Sequence, residues 1–199
     1  MLNTIQSLLG QTDIYLIDQI MKGRYKPGDS ILDAGCGSGR NMCWFLQNGF
    51  HINGIDSNRV AIEELQEKFP ELSSRFTVAA VEETSFADEQ FNHVICSAVL
   101  HFAKHTAHFK LMLKELTRIL KPGGTLFIRM TADIGIENRV QQLADGVYLI
   151  PDGSTRFLLT RTLLAECMQE FDLSFSEPVK TTNVADERCM STLVLQKMS

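Results

Sequence analysis

Apolar residues along this chain recur with two alternating periods, short runs that suit strands and longer stretches that suit helices. Ile14, Ile17 and Met21, with Leu16 and Ile20, fall at helical spacing and predict an N-terminal helix over 13–21, closed off by the turn at Pro27-Gly28. Residues 30–34 read as a short strand, followed by a glycine-rich turn and a helix over 41–48 that Gly49 ends. The unit then repeats, with a strand over 51–55, a helix over 58–69 with Pro70 behind it, and a strand over 75–79. Residues 92–97 predict a strand that is apolar on both faces, the mark of a buried parallel strand. A helix over 106–120, with Thr106 as its N-cap, sets Phe109, Leu113, Leu116 and Leu120 on one side. Lys121-Pro122-Gly123-Gly124 stops it before a strand over 125–130.

Strands alternating with helices imply parallel crossovers, hence an α/β, doubly wound sheet. The last third breaks the alternation. A helix over 160–170 is followed by two strands, 172–182 and 188–197, with a turn at 183–187 and no helix between them. The expected fold is therefore a mostly parallel seven-stranded sheet with a C-terminal antiparallel hairpin on one edge. One domain spans 1–199: an N-terminal helical cap (1–27), a core (28–130), and a loop, helix and terminal hairpin (131–199). Residues 145–157, with Tyr148, Asp152 and Arg156, read as an insertion, either a surface loop or a wall of the substrate pocket.

Composition narrows the classes. With 44% hydrophobic and 22% charged residues in 199, the chain is neither disordered nor fibrous. No apolar run approaches the ~18–20 residues that span a bilayer, and the first residues lack a cationic stretch before an apolar core, so neither membrane nor secretion is expected. A net charge of −5 disfavours non-specific nucleic-acid binding. The five cysteines are odd in number and form no C-x-x-C pair, which argues against a disulfide framework or zinc ribbon and fits a reducing cytoplasm.

In an open α/β sheet, ligands sit beyond the carboxyl ends of the strands. The first such end carries Asp33-Ala34-Gly35-Cys36-Gly37-Ser38-Gly39-Arg40-Asn41. Glycines at every second position let the backbone bend and approach a ligand closely. Asp33 favours a cationic or polyhydroxylated ligand and would repel a pyrophosphate. Asp56, at the second strand end, can accept two hydrogen bonds from ribose hydroxyls. Arg40 stands where a nicotinamide fingerprint wants a small residue, which weakens the oxidoreductase alternative.

On these residues the sequence resembles the class I S-adenosylmethionine-dependent methyltransferases across about residues 28 to 130. The family's first motif is matched by Ile31 through Gly39, its acidic second-strand end by Gly54-Ile55-Asp56, its fourth strand by Phe91 through Ser97, and the approach to its fifth by Leu120 through Leu126. Gly39-Arg40-Asn41 is locally similar to the tellurite-resistance branch. The resemblance implies a Rossmann-like methyltransferase fold with S-adenosyl-L-methionine as cofactor. Gly35, Cys36, Gly37 and Gly39 would then pack against its methionyl part, Asp33 would reach its ammonium, and Asp56 would bind the ribose. Val81 and Glu82 would flank the adenine, Ser97 would lie near the methionyl part, and Arg40, Asn41 and Ser57 complete the implied cofactor site. Many relatives carry an acid about where Ala80 stands, so Glu82 or a backbone carbonyl has to take that contact.

Two residues are candidates for the chemistry. His101 lies four positions past Ser97 and is placed to contact the acceptor or take a proton from it. Arg129 ends the fifth strand and would hold an anionic acceptor or pair with Asp133. His101, His105 and His108 could in principle line one helical face, but with no acidic or cysteine ligand nearby a metal site is not expected. Cys36 reads as a small residue, not a nucleophile. Tyr15 and Asp18 belong either to a lid or to an amphipathic cover. No Asp/Asn-Pro-Pro-Tyr/Phe tetrad follows the fourth strand, where Ser97-Ala98-Val99-Leu100 stands, so amino methylation of DNA bases is not expected. A small-molecule acceptor is favoured. RNA or protein acceptors, a nicotinamide oxidoreductase and a non-catalytic binding protein remain the alternatives.

Overall fold

The computed structural model describes residues 2–198. Two helices come first, α1 (Leu2–Leu9) and α2 (Ile14–Met21), the second capped by the Asp13 carboxylate, which accepts from the Tyr15 N–H. Then β1 (Ser30–Ala34), α3 (Cys43–Gln47), β2 (His51–Asp56), α4 (Arg59–Lys68), β3 (Phe76–Val78), β4 (Phe91–Ser97), α5 (Thr106–Arg118) and β5 (Leu120–Ala132) alternate as the periodicity predicts. Three short strands follow, β6 (Gln141–Ala144), β7 (Val147–Leu149) and β8 (Thr155–Phe157), then α6 (Arg161–Glu170), β9 (Leu173–Phe175), β10 (Lys180–Val184) and β11 (Arg188–Lys197).

The main sheet runs β10-β11-β5-β4-β1-β2-β3, with β9 also paired to β11. Neighbours from β3 to β5 are parallel, and β11 runs antiparallel to β5, β9 and β10. The strand order reverses between β1 and β4, which makes the crevice beyond their carboxyl ends the expected ligand position. Both faces are covered. Leu32, Val94, Cys96, Leu126 and Ile128 pack with Phe109, Leu113 and Leu116 of α5, while Ile31, Ile95, Phe127 and Val194 pack with Leu16, Met42, Phe45, Ile62 and Leu65 on the other side.

The structure departs from the pattern in several places, one being that β5 already begins at Leu120 and takes in Lys121-Pro122-Gly123-Gly124. The helix expected over 41–48 is only the five residues of α3. Helix α5 is capped by His105, whose Nδ1 accepts from the His108 N–H, and not by Thr106. The expected strand over 172–182 is two strands, because Pro178 lies between β9 and β10 and has no N–H to give the ladder on β11. The main sheet therefore has eight strands instead of seven. The insertion is a three-stranded antiparallel sheet, β6-β7-β8, with no loop character of the kind the surface reading expected. Asp145-Gly146 forms its first turn, with Gly146 at φ +70°, and that dipeptide is the hairpin signal the sequence contained. This small sheet is fastened to the start of α5: the Thr106 N–H and hydroxyl donate to the Asp145 carboxylate at 3.1 and 2.6 Å, and Arg156 lies 5.2 Å over the Phe102 ring.

Candidate active site

β1 ends in Asp33, and the chain turns at once through Gly35 (φ +78°), whose N–H donates to the Ile55 carbonyl at 2.8 Å. The Gly37 N–H donates to Oδ2 of Asp56 at 2.8 Å, and the Asn58 N–H to its Oδ1 at 2.8 Å. The carboxylate at the tip of β2 thus ties the glycine bend to the start of α4. Cys36 is buried beside Gly54, where a Cβ would come within 2.9 Å of its sulfur. Burial, with Asp33 and Asp56 nearby, pushes its thiol far up, so it stays protonated and is a poor nucleophile.

A cleft of about 510 Å³ opens at these strand ends. Gly35, Asp56, Ser57, Val81 and Glu82 line it, as the sequence anticipates, together with Ala80. Val99, Phe102, Lys104, His108 and Met112 complete its far wall, and none of these five was assigned to a ligand from sequence. A comparable groove between α6 and the β9–β10 edge, lined by Leu164 and Phe175 among others, carries no acid on its wall and lies away from the switch point.

The other predicted residues gather beside the cleft, under the N-terminal segment. Asp33, Ser97 and Arg129 share one sheet face on three adjacent strands, with Asp33 opposite Ile95 and Ser97 opposite Arg129. Oδ2 of Asp13 accepts from the Ser97 hydroxyl at 3.2 Å and from Nη1 of Arg129 at 3.0 Å. Arg40 donates to the Ser97 oxygen at 3.3 Å. The Asp13 N–H donates to Oδ1 of Asn41 at 3.0 Å, the Thr12 hydroxyl to the Arg40 carbonyl at 3.1 Å, and the Arg129 guanidinium stacks on Tyr15. The partner of Arg129 is therefore Asp13, reached across the fold, and not Asp133, which follows the end of β5 and bonds back toward Leu159. Tyr15 belongs to this cover, whereas Asp18 holds α2 to the edge hairpin through Lys22 and Lys180.

Asp13→Asn keeps the Oδ1 cap on the Tyr15 N–H but puts an amide NH2 where Oδ2 accepts from Ser97 and Arg129, so both lose their acceptor and the charge facing Arg129 is removed. It is expected to lower the unfolding free energy by about 1–2 kcal/mol, read from urea denaturation. An unchanged midpoint would show that the pair adds nothing.

Two predicted groups are left buried without partners. Asp33 is 1% exposed, and neither carboxylate oxygen accepts a hydrogen bond. Burial pushes its carboxyl up to about 7, with the Arg40 guanidinium pulling it down and Asp56 adding to the rise. His101 sits in the single 3₁₀ turn Leu100–Phe102, with Nδ1 buried and unpaired. Burial, then Arg156 and Arg188, hold its pKa down at about 4, so the ring is neutral at pH 7. It does not line the cleft; Phe102 does. Among the described residues no three His, Cys, Asp or Glu side chains are grouped to hold a metal ion. His105 caps α5, and His108 is bonded to Glu82.

A buried acid with two unused oxygens, a bend that only glycine tolerates and a second acid beside an open cleft form a donor set for a ligand carrying an ammonium group and hydroxyls, which fits the implied cofactor. A family model for a methyltransferase domain matches residues 32–128, the stretch that builds this set. Over these residues the chain is similar to the methyltransferase domain of that family. It is 30% identical over 120 residues to the uncharacterized methyltransferase YodH of Bacillus subtilis, a match covering 59% of this chain and 47% of that protein. It is 31% identical over 104 residues to the 2-methyl-6-phytyl-1,4-hydroquinone methyltransferase of Synechocystis, covering 51% of this chain and 32% of that one. The chain thus matches about half the length, or less, of these relatives. A solved S-adenosylmethionine-dependent methyltransferase from Methanosarcina mazei shares the fold with a TM-score of 0.74 at 22% identity, covering 90% of this chain and 97% of that one. In this chain no helix among the described residues is long and apolar enough to cross a membrane.

Proposed function

We propose that this chain methylates a small molecule, with S-adenosylmethionine as the methyl donor. The unpaired Asp33 carboxylate carries the reading, because a buried acid without partners is costly unless a cation completes it. Asp33 would hold the methionyl ammonium, Asp56 the ribose hydroxyls, and the bend at Gly35 to Gly37 would let the backbone approach closely. Bound there, the cofactor supplies a methyl on a sulfonium centre whose departure leaves a neutral thioether, so alignment does most of the work.

The acceptor side is built from Ser97, His101 and Arg129. Asp13 occupies one edge of the Arg129 guanidinium and leaves Nε unpaired, which supports an anionic group on the acceptor. An imidazole held near pKa 4 retains little of a proton at neutral pH, so His101, which stands behind the cleft wall, is not a proton store. The Ala98 backbone at φ +64° turns the chain from Ser97 toward the cleft wall, a strained conformation of the kind that functional sites retain.

Calorimetric titration with S-adenosylhomocysteine tests the reading. Wild type binds, and Asp56→Ala, which also frees the Gly37 and Asn58 N–H groups, binds at least about tenfold more weakly. NADH bound without competition from S-adenosylhomocysteine would replace the reading with an oxidoreductase. Methyl transfer to tRNA or protein alone would move the acceptor out of the small-molecule class.

A further inference from the structure

On the cofactor reading above, the adenine amino group would lie beside Ala80, which lines the cleft and whose methyl side chain offers it no acceptor. Two positions on, Glu82 lines the same cleft, and its Oε1 lies 3.1 Å from Nε2 of His108 in the first turn of α5. The backbone sets the imidazole tautomer. The Lys104 N–H donates to Nδ1 of His108 at 3.0 Å, so that nitrogen carries the lone pair. Nε2 therefore bears the proton and donates it to Glu82. The His108 backbone is fixed as well, its N–H donating to Nδ1 of the capping His105 at 3.1 Å. The His108 side chain is 15% exposed and that of Glu82 33%, so the pair sits in the wall of the cleft and not out in solvent.

We propose that His108 is a positioning residue for cofactor selection: by holding one oxygen of Glu82 it aims the other at the exocyclic amino group of adenine, replacing the contact that Ala80 cannot make. The inference rests on the S-adenosylmethionine reading above. A carboxylate only accepts hydrogen bonds. Adenine presents N–H donors at its sixth position, whereas hypoxanthine presents a carbonyl oxygen there. An acceptor facing an acceptor leaves both unpaired, and a site built to bind a donor rejects the analogue lacking it. Without His108, the flexible Glu82 side chain gains rotamer freedom at the cleft wall and no longer stands ready for the base.

The experiment is calorimetric titration of S-adenosylhomocysteine and S-inosylhomocysteine into wild type, His108→Leu, His108→Gln and Glu82→Ala. Wild type is expected to prefer the adenosyl ligand by about thirtyfold, the ratio that one charge-assisted hydrogen bond supports. His108→Leu should cut that preference to about threefold by weakening the adenosyl ligand alone. His108→Gln, whose amide N–H can donate to Glu82, should restore most of it. Glu82→Ala should show the same loss, and it carries the test if His108→Leu fails to fold. Discrimination that survives either His108→Leu or Glu82→Ala in a folded protein overturns the inference and leaves the methyltransferase reading intact. A wild type that binds neither ligand overturns both.

Discussion

Asp33→Asn is expected to stabilise the ligand-free protein at neutral pH while weakening S-adenosylhomocysteine binding by about a hundredfold. The two effects share a cause. Asp33 is fully buried on β1, and neither oxygen has a partner. Its carboxyl stands at about 7 in the folded chain, well above the ordinary 3.8. An acid whose folded pKa lies above its unfolded value binds its proton more tightly when folded, so stability falls as pH rises between the two. The penalty is absent below about pH 4, grows through the window from 4 to 7, and levels off above it. That rise corresponds to about 4 kcal/mol at the plateau. An amide of the same shape carries no charge to bury and removes this slope, but it also removes the anion that an ammonium ligand would pair with. Urea denaturation across the window reads the first effect and calorimetry the second. A variant with the wild-type pH slope, or with wild-type affinity, would refute the role given to Asp33.

Gly35→Ala should be among the most damaging single methyls added to the chain, costing about 3–4 kcal/mol. The backbone there sits at φ +78°, where an L side chain costs about 1–2 kcal/mol. The new Cβ would also fall 2.2 Å from Cγ2 of Val99, a stiff β-branched side chain that has little room to turn away. Overpacking of this kind adds about 1–3 kcal/mol. Val99→Ala in the same chain should recover about 1–2 kcal/mol of the overlap but none of the backbone term, a coupling that a double-mutant cycle detects. Gly37→Ala is the control: its φ is +51° but nothing lies within 4 Å of the added carbon, so only the backbone term remains. Equal losses at Gly35 and Gly37 would mean that contact with Val99 is not what Gly35 avoids. Because Gly35 and Val99 both line the cleft, ligand binding should fall with Gly35→Ala in whatever fraction stays folded.

Local rules made much of the fold legible. Period-two and period-3.6 patterns located the strands and helices from β1 to β5, and the bounds of β1 agree residue for residue, because those patterns depend only on which face of a neighbouring layer each side chain meets. The same holds for the acids at the tips of β1 and β2 and for the glycines between them, since a left-handed backbone position and a strand end are both written in nearby residues. The Asp145-Gly146 hairpin and the interruption at Pro178 also had local signals, which longer apolar runs around them outweighed.

By itself, then, the sequence determined the alternating architecture, the glycine bend and the two strand-tip acids that point to an S-adenosylmethionine site. Only the tertiary structure decided that Asp13 reaches across to Ser97 and Arg129, that Asp33 is left unpaired, and that His108 meets Glu82 in the cleft wall. The physical reason is distance along the chain. A periodic pattern fixes what a residue turns toward the core, but a partner 84 or 116 positions away is chosen only when strand order and register bring two tips together.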